Sequence, residues 1–85
     1  MKAKLWFKDG SVFEEIIVAG ADLKMGALPL DAAKLQKIEE AYLYLAGGAK
    51  IFRERVAGTI EFTIPGVVGT AKINLEQIKE LQPKP

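Results

Sequence analysis

An 85-residue chain with neither cysteine nor histidine has to hold its fold together by packing alone. Disulfides and thiolate or imidazole metal sites, the usual staples of small domains, are unavailable to it. A chain this short buries only about 60 to 65% of the surface its unfolded form exposes, which leaves material for one core. We therefore expect a single domain over residues 1–85, with residues 82–85 as a frayed tail. The composition is 49% hydrophobic, at the apolar end for so small a body, and the surplus calls for an efficient core or a partner surface.

Residues 2–18 read as a β-hairpin turning at Asp9-Gly10, where glycine supplies the positive φ of a two-residue turn. That turn sets Trp6 opposite Phe13 and Lys4 opposite Glu15, so Trp6, Phe13 and Ile17 share one face while Ala3, Leu5 and Ile16 share the other. Glu14 falls on the apolar face, a misfit that a bulge near Glu14-Glu15 would relieve. Residues 19–30, with Gly20, Gly26 and Pro29, lack a clear period and read as a connection.

Asp31 is a good N-cap and Gly47-Gly48 a good stop, so the sequence predicts a helix over Asp31–Ala46. Its buried stripe is Leu35, Ile38, Tyr42 and Leu45, facing a sheet that contributes Ile60 and Phe62. Strands are expected over 50–56, 59–64 and 69–75 as a meander that turns at Ala57-Gly58-Thr59 and again after Pro65. The second turn sets Glu61 opposite Lys72 and Phe62 opposite Ala71. The NLEQIKEL ending reads as one or two helical turns, and no internal repeat is evident. The expected class is thus α+β in the order ββαβββ, an antiparallel sheet of about five strands, open to strong curvature, with one main helix across it. A small closed barrel with the helix inserted is the alternative.

Without His or Cys, and with Ser11 as the sole serine in a tight hairpin, catalysis by histidine, cysteine or a serine triad has no residues to run on. The neighbouring carboxylates Glu14/Glu15 and Glu39/Glu40 diverge rather than converge, and the glycines match no phosphate-binding loop. We expect a non-enzymatic protein without cofactor or metal. Twelve Lys and Arg against eleven Asp and Glu give a formal charge of +1, so any basic footprint is local. The leading expectation is a protein-interaction module, self-associating and acting as regulator or scaffold. Its interface is the Trp6, Phe13 and Ile17 face, bordered by Lys4 and Glu15. The runner-up is weak nucleic-acid binding through Arg53, Arg55 and Lys72 on one sheet face; the third reading is a small-molecule pocket under residues 19–30. No apolar run approaches the roughly 18 residues of a spanning helix, and a strand pattern follows Met1-Lys2-Ala3-Lys4, so the expected location is cytoplasmic.

Overall fold

The first hairpin shows how far a single turn residue steers the rest. In the computed structural model, which describes residues 1–85, strand β1 (Lys2–Phe7) is joined to β2 (Val12–Met25) by a three-residue loop, not a two-residue one. The Gly10 N–H donates to the Phe7 carbonyl at 3.1 Å and the Phe7 N–H to the Ser11 carbonyl at 2.9 Å, with Gly10 at φ 95°. This is a type I turn closed by a glycine bulge. Asp9 fixes it by accepting the Ser11 N–H at 2.8 Å and the Ser11 hydroxyl, which hold its carboxyl below the ordinary range. The extra loop residue sets Trp6 opposite Val12 and Leu5 opposite Phe13. Glu14 and Glu15 then bulge against Lys4, as the misplaced charge requires, and Ala3 again meets Ile16.

The expected helix over Asp31–Ala46 does not form. Asp31 does cap, accepting the Ala33 N–H at 3.0 Å, but it caps a single 3-10 turn, η1 (Ala32–Lys34). The chain then runs extended as β4 (Leu35–Ile38), β5 (Tyr42–Leu45) and β6 (Ala49–Phe52), three antiparallel strands. Leu35 and Ile38 are both buried despite a spacing of three, because β4 bulges between Leu35 and Lys37 and an extra residue restores the inward direction. A bulged strand therefore reproduces the spacing of a helix. Tyr42-Leu43-Tyr44-Leu45 alternates with period two, Leu43 fully buried, and Gly47 and Gly48, both at positive φ, reverse the chain between β5 and β6. The α+β class with a main helix is overturned: 61% of residues are strand, 11% lie in short helical turns, and no helix reaches seven residues.

Residues 19–30 are not a free connection either. Strand β2 runs on past a bulge at Ala19 to Met25, turns at Gly26 and pairs with the short β3 (Leu28–Pro29). Its far half pairs with β7 (Val56–Thr63), which passes straight through the expected turn at Gly58. β7 is reached from β6 through η2 (Arg53–Arg55), and it pairs with β8 (Ala71–Asn74) in the expected register, Glu61 to Lys72 and Phe62 to Ala71. The ending keeps one helical turn, η3 (Leu75–Gln77), closed by a capping box in which the Asn74 N–H donates to Gln77 Oε1 at 3.3 Å. The rest is β9 (Ile78–Pro83), a central strand between β4 and β1. The tail is held rather than frayed: Pro83 pairs with Ala3, and the Lys84 N–H donates to the Lys2 carbonyl at 2.9 Å.

The strand order is β6-β5-β4-β9-β1-β2-β7-β8, a curled antiparallel half-barrel whose two edges, β6 and β8, do not meet. The three 3-10 turns are its crossovers. Each follows an extended cap residue (Asp31, Phe52, Asn74), and each ends on a buried apolar residue (Leu35, Val56, Ile78) whose N–H donates to the first carbonyl of the turn. This recurring unit is the repeat the sequence concealed. Thirteen buried apolar residues, among them Leu5, Ile16, Ile38, Leu43, Ile60, Ile78 and Leu81, fill the concave side. No helix is long and apolar enough to cross a membrane.

Gly58 lies at φ 144°, and a Cβ there would stand 1.9 Å from the Asp22 carbonyl oxygen on β2. Relief requires the two strands to part, so Gly58→Ala is expected to cost at least about 3 kcal/mol by chemical denaturation. Gly47→Ala, where the same atom meets open space, should cost about 1 kcal/mol of backbone strain. Equal effects at the two positions would contradict the close β2–β7 approach.

Candidate functional site

Of the three cations expected on one sheet face, Arg53 is the most displaced. It is 8% exposed and is the one charged residue in the interior. Its Nη1 donates to the carbonyls of Glu39 at 2.9 Å and Lys79 at 3.0 Å, and its Nη2 to those of Leu75 at 2.8 Å and Ile78. Burial lowers its pKa from the usual arginine value, against a smaller opposing pull from the Glu40 charge. Lys72 is engaged with Glu61 at 3.5 Å on β7 and β8. Arg55 alone stays exposed and free of a carboxylate, with its guanidinium 5.9 Å from the Phe52 ring. The basic triad is therefore not assembled, because a 3-10 turn replaces the strand that would have put Arg53 and Arg55 on one face.

The expected Trp6 interface is also divided. Phe13 turns inward, edge-on to Phe7 at 5.2 Å and 6.0 Å from Phe62, as part of the core periphery. Trp6 stays on the outer face between Val12 and Glu80, half-buried, with Lys4 Nζ 4.8 Å above its ring. Ile17 is outward and 39% exposed, but Lys4 and Glu14, paired at 3.2 Å, lie between it and Trp6. Glu15 pairs with Lys84 at 3.8 Å instead of with Lys4. Charged pairs thus break this face into separate apolar spots.

The aromatic concentration lies elsewhere, on the outer face of β4, β5 and β6. Register places Lys37, Tyr44 and Lys50 in one row across the three strands and Tyr42 beside Phe52 in the next. Tyr42 and Phe52 stack at 4.9 Å, and Tyr44 stands 6.4 Å from Tyr42. Lys50 Nζ lies 3.9 Å from the Tyr42 centroid and 5.9 Å from that of Tyr44, while Lys37 Nζ lies 4.6 Å from Tyr44. Such contacts hold each lysine stem along a ring and keep its ammonium at the surface. Lys37 is partly neutralised by Glu39 at 3.7 Å; hydrogen bonding to Glu39 also raises the pKa of the Tyr44 phenol. Lys50 and Arg55 have no ion-pair partner, and Phe52 is 46% exposed.

This cluster sits on a sheet edge. The Arg53 N–H donates to the Ala41 carbonyl at 3.1 Å, so the alternation of an antiparallel ladder turns the peptide groups of Lys50 and Phe52 away from β5, where no strand follows. The opposite edge differs: the outward Lys72 of β8 is paired, and the Asn74 N–H is used by the capping box. Two open recesses adjoin the 19–30 segment: one of about 280 Å³, lined by Met1, Val18, Ala19, Ala33 and Leu35, has no charged side chain, and a wider one of about 460 Å³ is lined by Asp22, Lys24, Glu54, Arg55 and Glu76, charges of both signs open to water.

Arg53 fixes the geometry of the aromatic face by tying η2, at the end of β6, to η3 and β9. Arg53→Met would remove all four of its hydrogen bonds, with only the Leu75 carbonyl known to keep a second donor in the Ile78 N–H, and we expect it to cost about 3 to 5 kcal/mol in urea denaturation. Arg53→Lys should recover only part of that, since an ammonium lacks the planar fork. A midpoint shift below about 1 kcal/mol for Arg53→Met would contradict the buried network. No protein-family model, curated protein or solved structure shows significant similarity to this chain, so the site has to be read from its own geometry.

Proposed function

We propose that this chain is a non-catalytic protein-interaction module and that its contact surface is the Tyr42, Tyr44, Phe52 face with Lys50 and Arg55. The observation that carries the reading is the exposed cation–aromatic ladder at the β6 edge. Tyrosine, phenylalanine and arginine are enriched at interface cores because they bring large rigid area and a polar handle at low ordering cost. The absence of His and Cys from the chain supports a binding role over a catalytic one.

Two other partners fit this surface less well. Base stacking needs an open ring face, whereas Tyr42 has Phe52 and Lys50 against it and Tyr44 has Lys37. A second copy laid edge to edge would bring Lys50 and Arg55 of both protomers together without carboxylates to offset them. With Phe13 turned inward, the first hairpin offers self-association only Trp6, Val12 and Ile17 as outward apolar groups, a smaller aromatic surface than the β4–β6 face. The reading is accordingly for a different protein as partner.

A photo-crosslinking amino acid placed at Tyr44 should, in the cells that make this protein, give adducts that are protease-sensitive and nuclease-resistant. The same group at Val12, beside Trp6, should give none. Adducts at Val12 alone would return the interface to the first hairpin, and nuclease-sensitive adducts at Tyr44 would favour nucleic acid.

A further inference from the structure

We infer that the partner is taken by strand addition: an extended acidic segment pairs with the open edge of β6. This rests on the reading of the β4–β6 face as a protein-binding surface and adds the partner's chemistry and the manner of its capture. Three features of one four-residue strand, Ala49–Phe52, point the same way. Its Lys50 N–H and C=O and its Phe52 N–H face outward without a partner strand, whereas the Phe52 carbonyl closes the first turn of η2, so an incoming segment gains main-chain hydrogen bonds at those three groups. The side chains of the same two residues lie on the outer face, so an added strand sets its own outer residues beside an unpaired ammonium and a half-exposed ring. Ile51 between them points to the concave side, packed on the rim of the core, and would meet an apolar neighbour.

The charge pattern selects the segment. Lys50 and Arg55 are the cations of this edge without ion pairs, and sheet residues of opposite sign placed directly across strands stabilise one another whereas like charges do not. The complementary segment therefore carries Asp or Glu opposite Lys50 and an apolar side chain opposite Phe52. In an antiparallel addition this reads, along the partner, as an apolar residue two positions before an acidic one, with a β-branched residue between. A basic or proline-rich segment is rejected, the first by charge and the second for want of donors.

The edge can be tested apart from the face. Phe52 has φ −62°, a value proline adopts without strain, and its N–H serves no internal bond in this ladder, so Phe52→Pro deletes one outward donor at a compatible position. Phe52→Ala deletes the ring and keeps the donor. Selection on the immobilised protein from a display library of random peptides of about ten residues is expected to enrich the apolar-x-acidic pattern. The selected peptides should bind Phe52→Ala several-fold more weakly than wild type and Phe52→Pro at least about tenfold more weakly again. Lys50→Glu should reverse the preference toward lysine-bearing peptides. Enrichment without acidic residues, equal binding by Phe52→Ala and Phe52→Pro, or no enrichment at all would overturn strand addition. If Tyr44 crosslinks to a protein under any of those results, the face stands and only the manner of capture is wrong. If the selected peptides shift the amide resonances of Val12 and Trp6 and leave β6 unmoved, the face falls as well.

Discussion

The guanidinium of Arg53 is the point at which this half-barrel is tied. Only 14 residues are buried, and the single charged one among them reaches four carbonyls drawn from the β4–β5 connection, η3 and β9. Irregular backbone at the ends of strands and 3-10 turns exposes carbonyls that no ladder satisfies, and burying them unpaired is costly. One planar fork answers several of them at once, something no neutral side chain of that size can do. The cation loses its hydration in return, which the lowered pKa records, and the carbonyl dipoles replace the water. Because Arg53 follows Phe52 directly, the same residue that closes the core also fixes where β6 ends and which way its last ring points.

Much of the local chemistry was legible. Asp9-Gly10 marks the first turn, Asp31 caps, the Glu14-Glu15 misfit is relieved by a bulge, and Glu61 meets Lys72. What escaped was what those signals terminate. A cap followed by apolar residues three apart reads equally as a helix or as a 3-10 turn running into a bulged strand, and Leu35 and Ile38 belong to the second case. The paired tyrosines favoured the strand, since aromatics alternating with leucine fit a pleated surface better than a helix face. Glycine was ambiguous in the same way: Gly58 serves a close crossing of two long strands, not a turn. That β9 inserts between β4 and β1 is a long-range pairing that no local pattern in NLEQIKEL announces.

The functional surface was hidden by these same substitutions of one element for another. One additional residue in the first turn moves Phe13 from beside Trp6 into the core, because a one-residue slip reverses every face of a strand. The three-residue 3-10 turn Arg53–Arg55 sends its first arginine inward and leaves its last beside Phe52. The helix expected over Asp31–Ala46 contains both Tyr42 and Tyr44 and buries Tyr42, whereas their meeting with Phe52 and Lys50 depends on the β5–β6 register. The signal that could have found them is the alternation YLYL followed by two glycines, a hairpin signature.

The most direct test of this account is the state of the Arg53 side chain itself, observed through its Nη–H resonances in solution at neutral pH. A guanidinium held by four carbonyls should show separate, slowly exchanging Nη–H signals with nuclear Overhauser contacts to η3 and β9, while those of Arg55 average with water. Averaged Arg53 signals indistinguishable from those of Arg55 would place both arginines on the surface and contradict the fold and the β6 face that depends on it.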